Sequence, residues 1–137
     1  MTPKPVVLYV EDDMLSREVM KVVLIRLMGY DEGLVHLFEN SANFENRLDG
    51  LPVQPSIIFL DIHMEPLDGF AVLNLLRQKE AYKNTTVIAL TASVMSEEIR
   101  KLKEAGFTGV IAKPLNADTF PETLRRIQRG EEIWTIR

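Results

Sequence analysis

The chain has no cysteine, which excludes a disulfide framework and any thiolate metal site and permits a reducing compartment. No apolar run approaches the ~20 residues of a membrane span. Met1 to Val10 carries one lysine and too short an apolar stretch for a signal peptide. Basic residues are not in excess: 16 Lys and Arg stand against 20 Asp and Glu, a formal charge of -4, so the composition carries no nucleic-acid footprint. Internal repeats, low-complexity segments and interdomain linkers are also missing. The resulting expectation is a cytoplasmic protein with neither a membrane nor a nucleic acid as partner.

What is present fits a single domain. A chain of 137 residues, 46% apolar and 26% charged, can bury roughly two thirds of its unfolded surface. Short β-branched runs alternate with stretches of helical period. The strands are expected at 6–10, 35–38, 56–60, 86–90 and 109–112, and the helices at 14–28, 41–49, 67–81, 95–105 and 117–129. This is a (βα)5 pattern, which implies an α/β fold: a doubly wound five-stranded parallel sheet with right-handed crossovers and helices on both faces. Turn and cap residues agree with it. Gly29 follows the first helix, Gly50 and Pro52 end the second, and Gly106 closes the fourth. Asp13 is placed to cap the first helix, Pro66 to open the third, and Ser93 or Ser96 to cap the fourth. Pro121 falls in the first turn of the fifth helix, where its missing amide is tolerated.

Four of the strands end on polar residues. Val10 is followed by Glu11 and Asp12, Leu60 by Asp61, Leu90 by Thr91, and Ala112 by Lys113 and Pro114. Parallel strands present their carboxyl ends at one edge, so these side chains converge on one crevice. Asp61 stands alone there, and its carboxylate, already ionised at neutral pH, can act as a nucleophile that forms an acyl phosphate. An anionic donor must then approach Glu11, Asp12 and Asp61, which calls for a hard cation. Magnesium suits carboxylate, carbonyl and water oxygens. Lys113 offers a compact positive charge to one phosphoryl oxygen, and the Thr91 hydroxyl a hydrogen bond to another.

The four segments VVLYVEDD, IIFLDIHMEPLDG, VIALTAS and GVIAKPL, in this order and at these spacings, resemble the receiver domain of two-component response regulators over about residues 5 to 129. The resemblance implies a flavodoxin/CheY-like fold with strand order 2-1-3-4-5. It also implies a receiver domain at 1–129, a tail at 130–137 and no separate effector domain. Carried over by position, Glu11 and Asp12 are the acidic pair, with Asp12 favoured as the direct metal ligand, and Asp61 is the phosphoacceptor. The backbone carbonyl of His63 completes the Mg2+ ligands, Thr91 is the switch hydroxyl, and Lys113 binds phosphate and precedes a cis proline. The implied donor is a phosphohistidine on a sensor histidine kinase or a histidine phosphotransfer protein. The implied output is contact with a downstream protein or a second copy, with no enzymatic turnover beyond slow self-dephosphorylation.

This sequence departs from the family pattern in places. The proline usual four residues after the phosphoacceptor is Glu65 here, with Pro66 next, and the aromatic position three residues before the lysine is Val110. His63 and Ser93 lie two residues beyond Asp61 and Thr91, at positions that flank the phosphoryl group. His36 alternates with apolar neighbours and is expected at an edge. The stretch from Val19 to Met28 carries more apolar residues than one buried stripe uses, so Met20 and Leu24 are expected to help dock the donor. The tail, GEEIWTIR, is expected to lie against a protein surface, its own or that of a second copy.

Overall fold

The computed structural model describes residues 4–134. Five strands, β1 (Val7–Val10), β2 (Val35–Phe38), β3 (Ile57–Asp61), β4 (Thr86–Thr91) and β5 (Gly109–Ala112), form one parallel sheet in the order β2-β1-β3-β4-β5. The helices are α1 (Met14–Lys21), α2 (Phe44–Asp49), α3 (Gly69–Gln78), α4 (Ser96–Ala105) and α5 (Phe120–Gln128). The expected (βα)5 architecture and strand order are therefore what the chain adopts.

The sheet is buried on both faces, which is why its strands read as continuous apolar runs rather than alternating ones. Val7, Tyr9, Phe59, Ile88 and Leu90 face Met20, Val23 and Leu24 on one side together with Phe120, Leu124 and Ile127 of α5. Leu8, Val10, Ile58, Leu60, Ala89 and Val110 face Leu48, Val72, Leu73, Leu76 and Leu102 of α2, α3 and α4. β2 is an outer strand, and His36 sits on it half-buried, as expected of an edge residue. Among the described residues no helix is long and apolar enough to cross a membrane.

Several expected boundaries shift for local reasons. The first helix does not run regularly from 14 to 28: α1 widens into a π-helical stretch, Val22–Leu27, where β-branched Val22, Val23 and Ile25 cluster. Asp13 caps α1, its carboxylate accepting the Ser16 amide at 2.9 Å. α2 starts at Phe44 rather than 41, because Ser41 is committed elsewhere: its hydroxyl donates to the Leu67 carbonyl (2.6 Å) and accepts the Leu67 amide (2.8 Å). Pro66 does not open α3. The Asp68 carboxylate caps it by accepting the Ala71 amide, and Pro66 lies in the preceding loop after a cis bond to Glu65. Neither Ser93 nor Ser96 caps α4; Met95 occupies the cap position without a side-chain bond. Gly106 closes α4 at φ 104°, and Pro121 sits in the first turn of α5. The Lys113-Pro114 bond is cis.

After α5 the chain turns back to the sheet. Ile133 pairs in parallel with Gly109, its carbonyl accepting the Val110 amide at 2.8 Å. The Ile133 side chain is buried with α5, while Trp134 packs on the opposite cluster with the Lys103 ammonium 5.2 Å from its ring centre. The expected contact between the tail and its own fold is thus present at residues 133 and 134; residues 135–137 lie outside the described residues.

Candidate functional site

The sheet delivers the polar strand-end residues to one edge. In register, Asp61 lies opposite Leu90 and Thr91 opposite Ala112, so the ends of β3, β4 and β5 are level. Glu11, Asp12, Asp61, Thr91 and Lys113 all sit at this carboxyl edge. One oxygen from each of Glu11, Asp12 and Asp61 lies within 4.8 Å of the others. Gly69 helps to make the site: a Cβ there would come 2.8 Å from the Asp61 carbonyl oxygen, so α3 can begin against the end of β3 only without a side chain.

Glu11 is fully buried and Asp61 nearly so, whereas Asp12 is exposed. The Lys113 ammonium spans the two buried carboxylates, 2.8 Å from Glu11 Oε1 and 3.5 Å from Asp61 Oδ1. Glu11 Oε1 also accepts the Tyr9 hydroxyl at 2.6 Å, and Oε2 accepts the Asp13 amide at 3.2 Å. Arg17 donates to the Glu11 main-chain carbonyl at 2.7 Å. Asp61 Oδ1 accepts the His63 amide at 3.3 Å, while the imidazole of His63 points into solvent. The buried Thr91 hydroxyl oxygen accepts the Ser93 amide at 3.1 Å, which leaves its own hydrogen to be donated.

These contacts separate the two buried carboxyls. Burial, then the hydrogen bond and charge of Glu11, push Asp61 up to about 7, against the opposing pull of Lys113. Burial acts upward on Glu11 too, but hydrogen bonds from Asp61, Lys113 and Tyr9 outweigh it and hold Glu11 below the usual carboxylate range. For Lys113 the two carboxylates override desolvation and raise it. Tyr9 is raised by burial and by its bond to Glu11. Asp61 is thus not fully ionised at neutral pH as the sequence suggested, because burial beside Glu11 favours its proton until a cation enters; the three carboxyl groups are oxygen donors with no imidazole or thiolate among them. That set fits a hard divalent cation.

Sequence reasoning missed Tyr9, Arg17, Ser41 and Gly69. Tyr9 had a signal, since residues two apart on a strand share a face and Glu11 follows Tyr9 by two. Ser41 had none: its tie to Leu67 joins segments 26 positions apart.

The fold and the edge residues define a class of doubly wound α/β protein that handles charged groups at the carboxyl ends of its strands. The family model described as the response regulator receiver domain matches residues 7–125, and the chain belongs to that family. Such domains are signalling modules that bind Mg2+ at an acidic pocket and interact with histidine kinases or phosphotransfer proteins. The chain is 30% identical over 133 residues to the nitrate/nitrite response regulator protein homolog of Haemophilus influenzae, covering 97% of this chain and 61% of that protein. It is 34% identical over 77 residues to the signal transduction histidine-protein kinase BarA of Escherichia coli, covering 56% of this chain and 8% of the kinase. The chain therefore spans less than two thirds of each of these two relatives. Against the polar-differentiation response regulator DivK of Brucella anthropi the identity is 27%, with 90% of this chain and 94% of DivK covered. Among solved structures, the chemotaxis response regulator CheY4 of Vibrio cholerae superposes with a TM-score of 0.76 at 26% identity, covering 88% of this chain and 96% of CheY4.

Proposed function

We propose that Asp61 accepts a phosphoryl group from a phosphohistidine of a sensor histidine kinase or histidine phosphotransfer protein, in a magnesium-dependent reaction, and that the chain then signals by protein contact. The observation that carries this is Asp61 itself: a nearly buried carboxylate at a strand end, 3.5 Å from an ammonium and clustered with two more carboxylates. A carboxylate oxygen of Asp61 attacks phosphorus, the P–N bond of the donor breaks, and its electron pair stays on the imidazole nitrogen, which takes up a proton. Lys113 turns from Glu11 and Asp61 to a phosphoryl oxygen, and Thr91 donates its remaining hydrogen to another. Glu11, Asp12, Asp61 and the His63 backbone carbonyl are the groups that would hold Mg2+, directly or through water. When bound, the ion supplies the positive charge that lets an anionic donor approach. The proposal assigns no turnover beyond slow self-dephosphorylation.

Of the stretch from Val19 to Met28, Val22 and Leu27 do face out, but Met20 and Leu24, the two residues expected to dock the donor, do not. Met20 and Leu24 are fully buried, whereas Met14 and Leu15 are 68% and 71% exposed, next to the acidic pair. Those two residues are proposed to meet the donor protein.

The experiment is exposure to acetyl phosphate with magnesium, followed by intact mass. One added phosphoryl group is expected on the native chain and none on Asp61→Ala. A second reading, a receiver-like interaction module that is not phosphorylated, is favoured by Val110, whose small buried side chain replaces a movable ring. It predicts no mass change on either protein. Stoichiometric phosphate on Asp61→Ala sinks the assignment.

A further inference from the structure

Glu11 is held by a residue that lies outside the acidic cluster. The Tyr9 ring is buried edge-on to Phe59, with centroids 6.4 Å apart at 84°, and Phe59 tilts against Phe120 of α5 at 5.7 Å. Packed this way the phenol has one place to put its hydroxyl. That place is 2.6 Å from Glu11 Oε1. The same oxygen receives Lys113 at 2.8 Å, so Oε1 carries two strong donors, while Oε2 carries one long amide contact of 3.2 Å. The two oxygens are therefore unlike. Oε1 is engaged by Tyr9 and the ammonium and Oε2 by the Asp13 amide, and one oxygen of Glu11 lies within 4.8 Å of one from Asp12 and one from Asp61.

Glutamate also has one more rotatable bond than aspartate, so a carboxylate on this longer stem must be fixed from outside if it is to hold a single orientation. We propose that Tyr9 is a positioning residue of the acidic site. Its hydroxyl orients the Glu11 carboxylate so that one oxygen anchors Lys113 and the other is presented to a divalent cation. This inference rests on the magnesium-site reading above and adds the residue that sets its geometry.

The test titrates magnesium alone, without phosphodonor, into the native chain, Tyr9→Phe, Glu11→Asp and the double variant, by calorimetry. Phenylalanine keeps the ring and its packing, and near-UV circular dichroism verifies the fold. A hydrogen bond to a charged group corresponds to about a tenfold change in affinity. Tyr9→Phe should weaken magnesium binding by about that factor. In the Glu11→Asp background, where the shorter carboxylate stops short of the phenol, the same change should have no further effect. Unchanged affinity in Tyr9→Phe overturns the proposal, as does an equal loss in both backgrounds, because a packing role would not depend on the carboxylate. Absence of magnesium binding by the native chain overturns the metal-site reading itself.

Discussion

Gly109→Ala is expected to peel the C-terminal segment off the sheet. A Cβ at this position would lie 2.7 Å from the Ile133 carbonyl oxygen, 3.1 Å from its nitrogen and 3.2 Å from Ile88 Cδ1. The two nearest atoms are main chain and cannot rotate away, so Ile133 must move. Burying Ile133 contributes about 1.5–3 kcal/mol, the bond from the Val110 amide about 1 kcal/mol, and Lys103 over Trp134 about 0.5–1 kcal/mol. Ordering Glu132, Ile133 and Trp134 costs about 1–2 kcal/mol for each backbone, which offsets most of that gain. The segment is thus held by a net of at most about 2 kcal/mol, and one methyl group in its path suffices to release it.

In the full chain the substitution should lower the unfolding midpoint, by at most about 7 °C for a domain of this size. Trp134 is the sole tryptophan, so its emission should shift to the red and become open to a soluble quencher. In a chain lacking residues 131–137 the sign should reverse. Alanine there meets no strap and limits the unfolded state more than glycine does, which stabilises by about 0.4–1 kcal/mol. Equal destabilisation with and without the tail would refute the reasoning, because the cost would then come from Ile88.

Asp61 binds its proton more tightly folded, at about 7, than in the unfolded chain near 3.8. Its contribution to stability is complete below about pH 4 and is lost as pH rises through 7. In chelator, the stability of the native chain relative to Asp61→Asn should fall across that window and recover with magnesium; a flat difference refutes the raised carboxyl. Asp12→Asn should reduce the rise in unfolding midpoint that millimolar magnesium gives the native chain, read by thermal melts with and without the metal. Leu15→Lys should leave the fold intact and slow phosphotransfer from a protein donor while sparing acetyl phosphate. Leu24→Lys should unfold the chain, because it places a charge in the core.

The parts of the fold legible in the sequence are those set by strand ends. Each apolar run stops on a polar residue because the sheet's carboxyl edge is where backbone leaves the core, so Glu11, Asp61, Thr91 and Lys113 could be placed together before any coordinates. The helical surface was less legible. Along Val19 to Met28 nearly every position is apolar, so no polar residue marks the buried face; Met20, Val23 and Leu24, spaced i, i+3 and i+4, fill the core while Val22 and Leu27 face out. Contacts across the chain, such as Ser41 to Leu67, leave no local pattern at all.

Gly109 shows the same limit in its sharpest form. At the first position of a strand, glycine reads only as a weak strand former. Trp134 and Ile133, read alone, suggest packing against some surface without saying which. The meaning of each lies in the other: the missing side chain on the outer strand is the space through which the tail's main chain passes, so neither half is interpretable until the sheet order makes β5 an edge. That edge would otherwise offer unpaired backbone groups to any extended chain. Ile133 takes up the Val110 amide there, so a partner that pairs with β5 must first displace a segment held by little more than one hydrogen bond and one buried side chain.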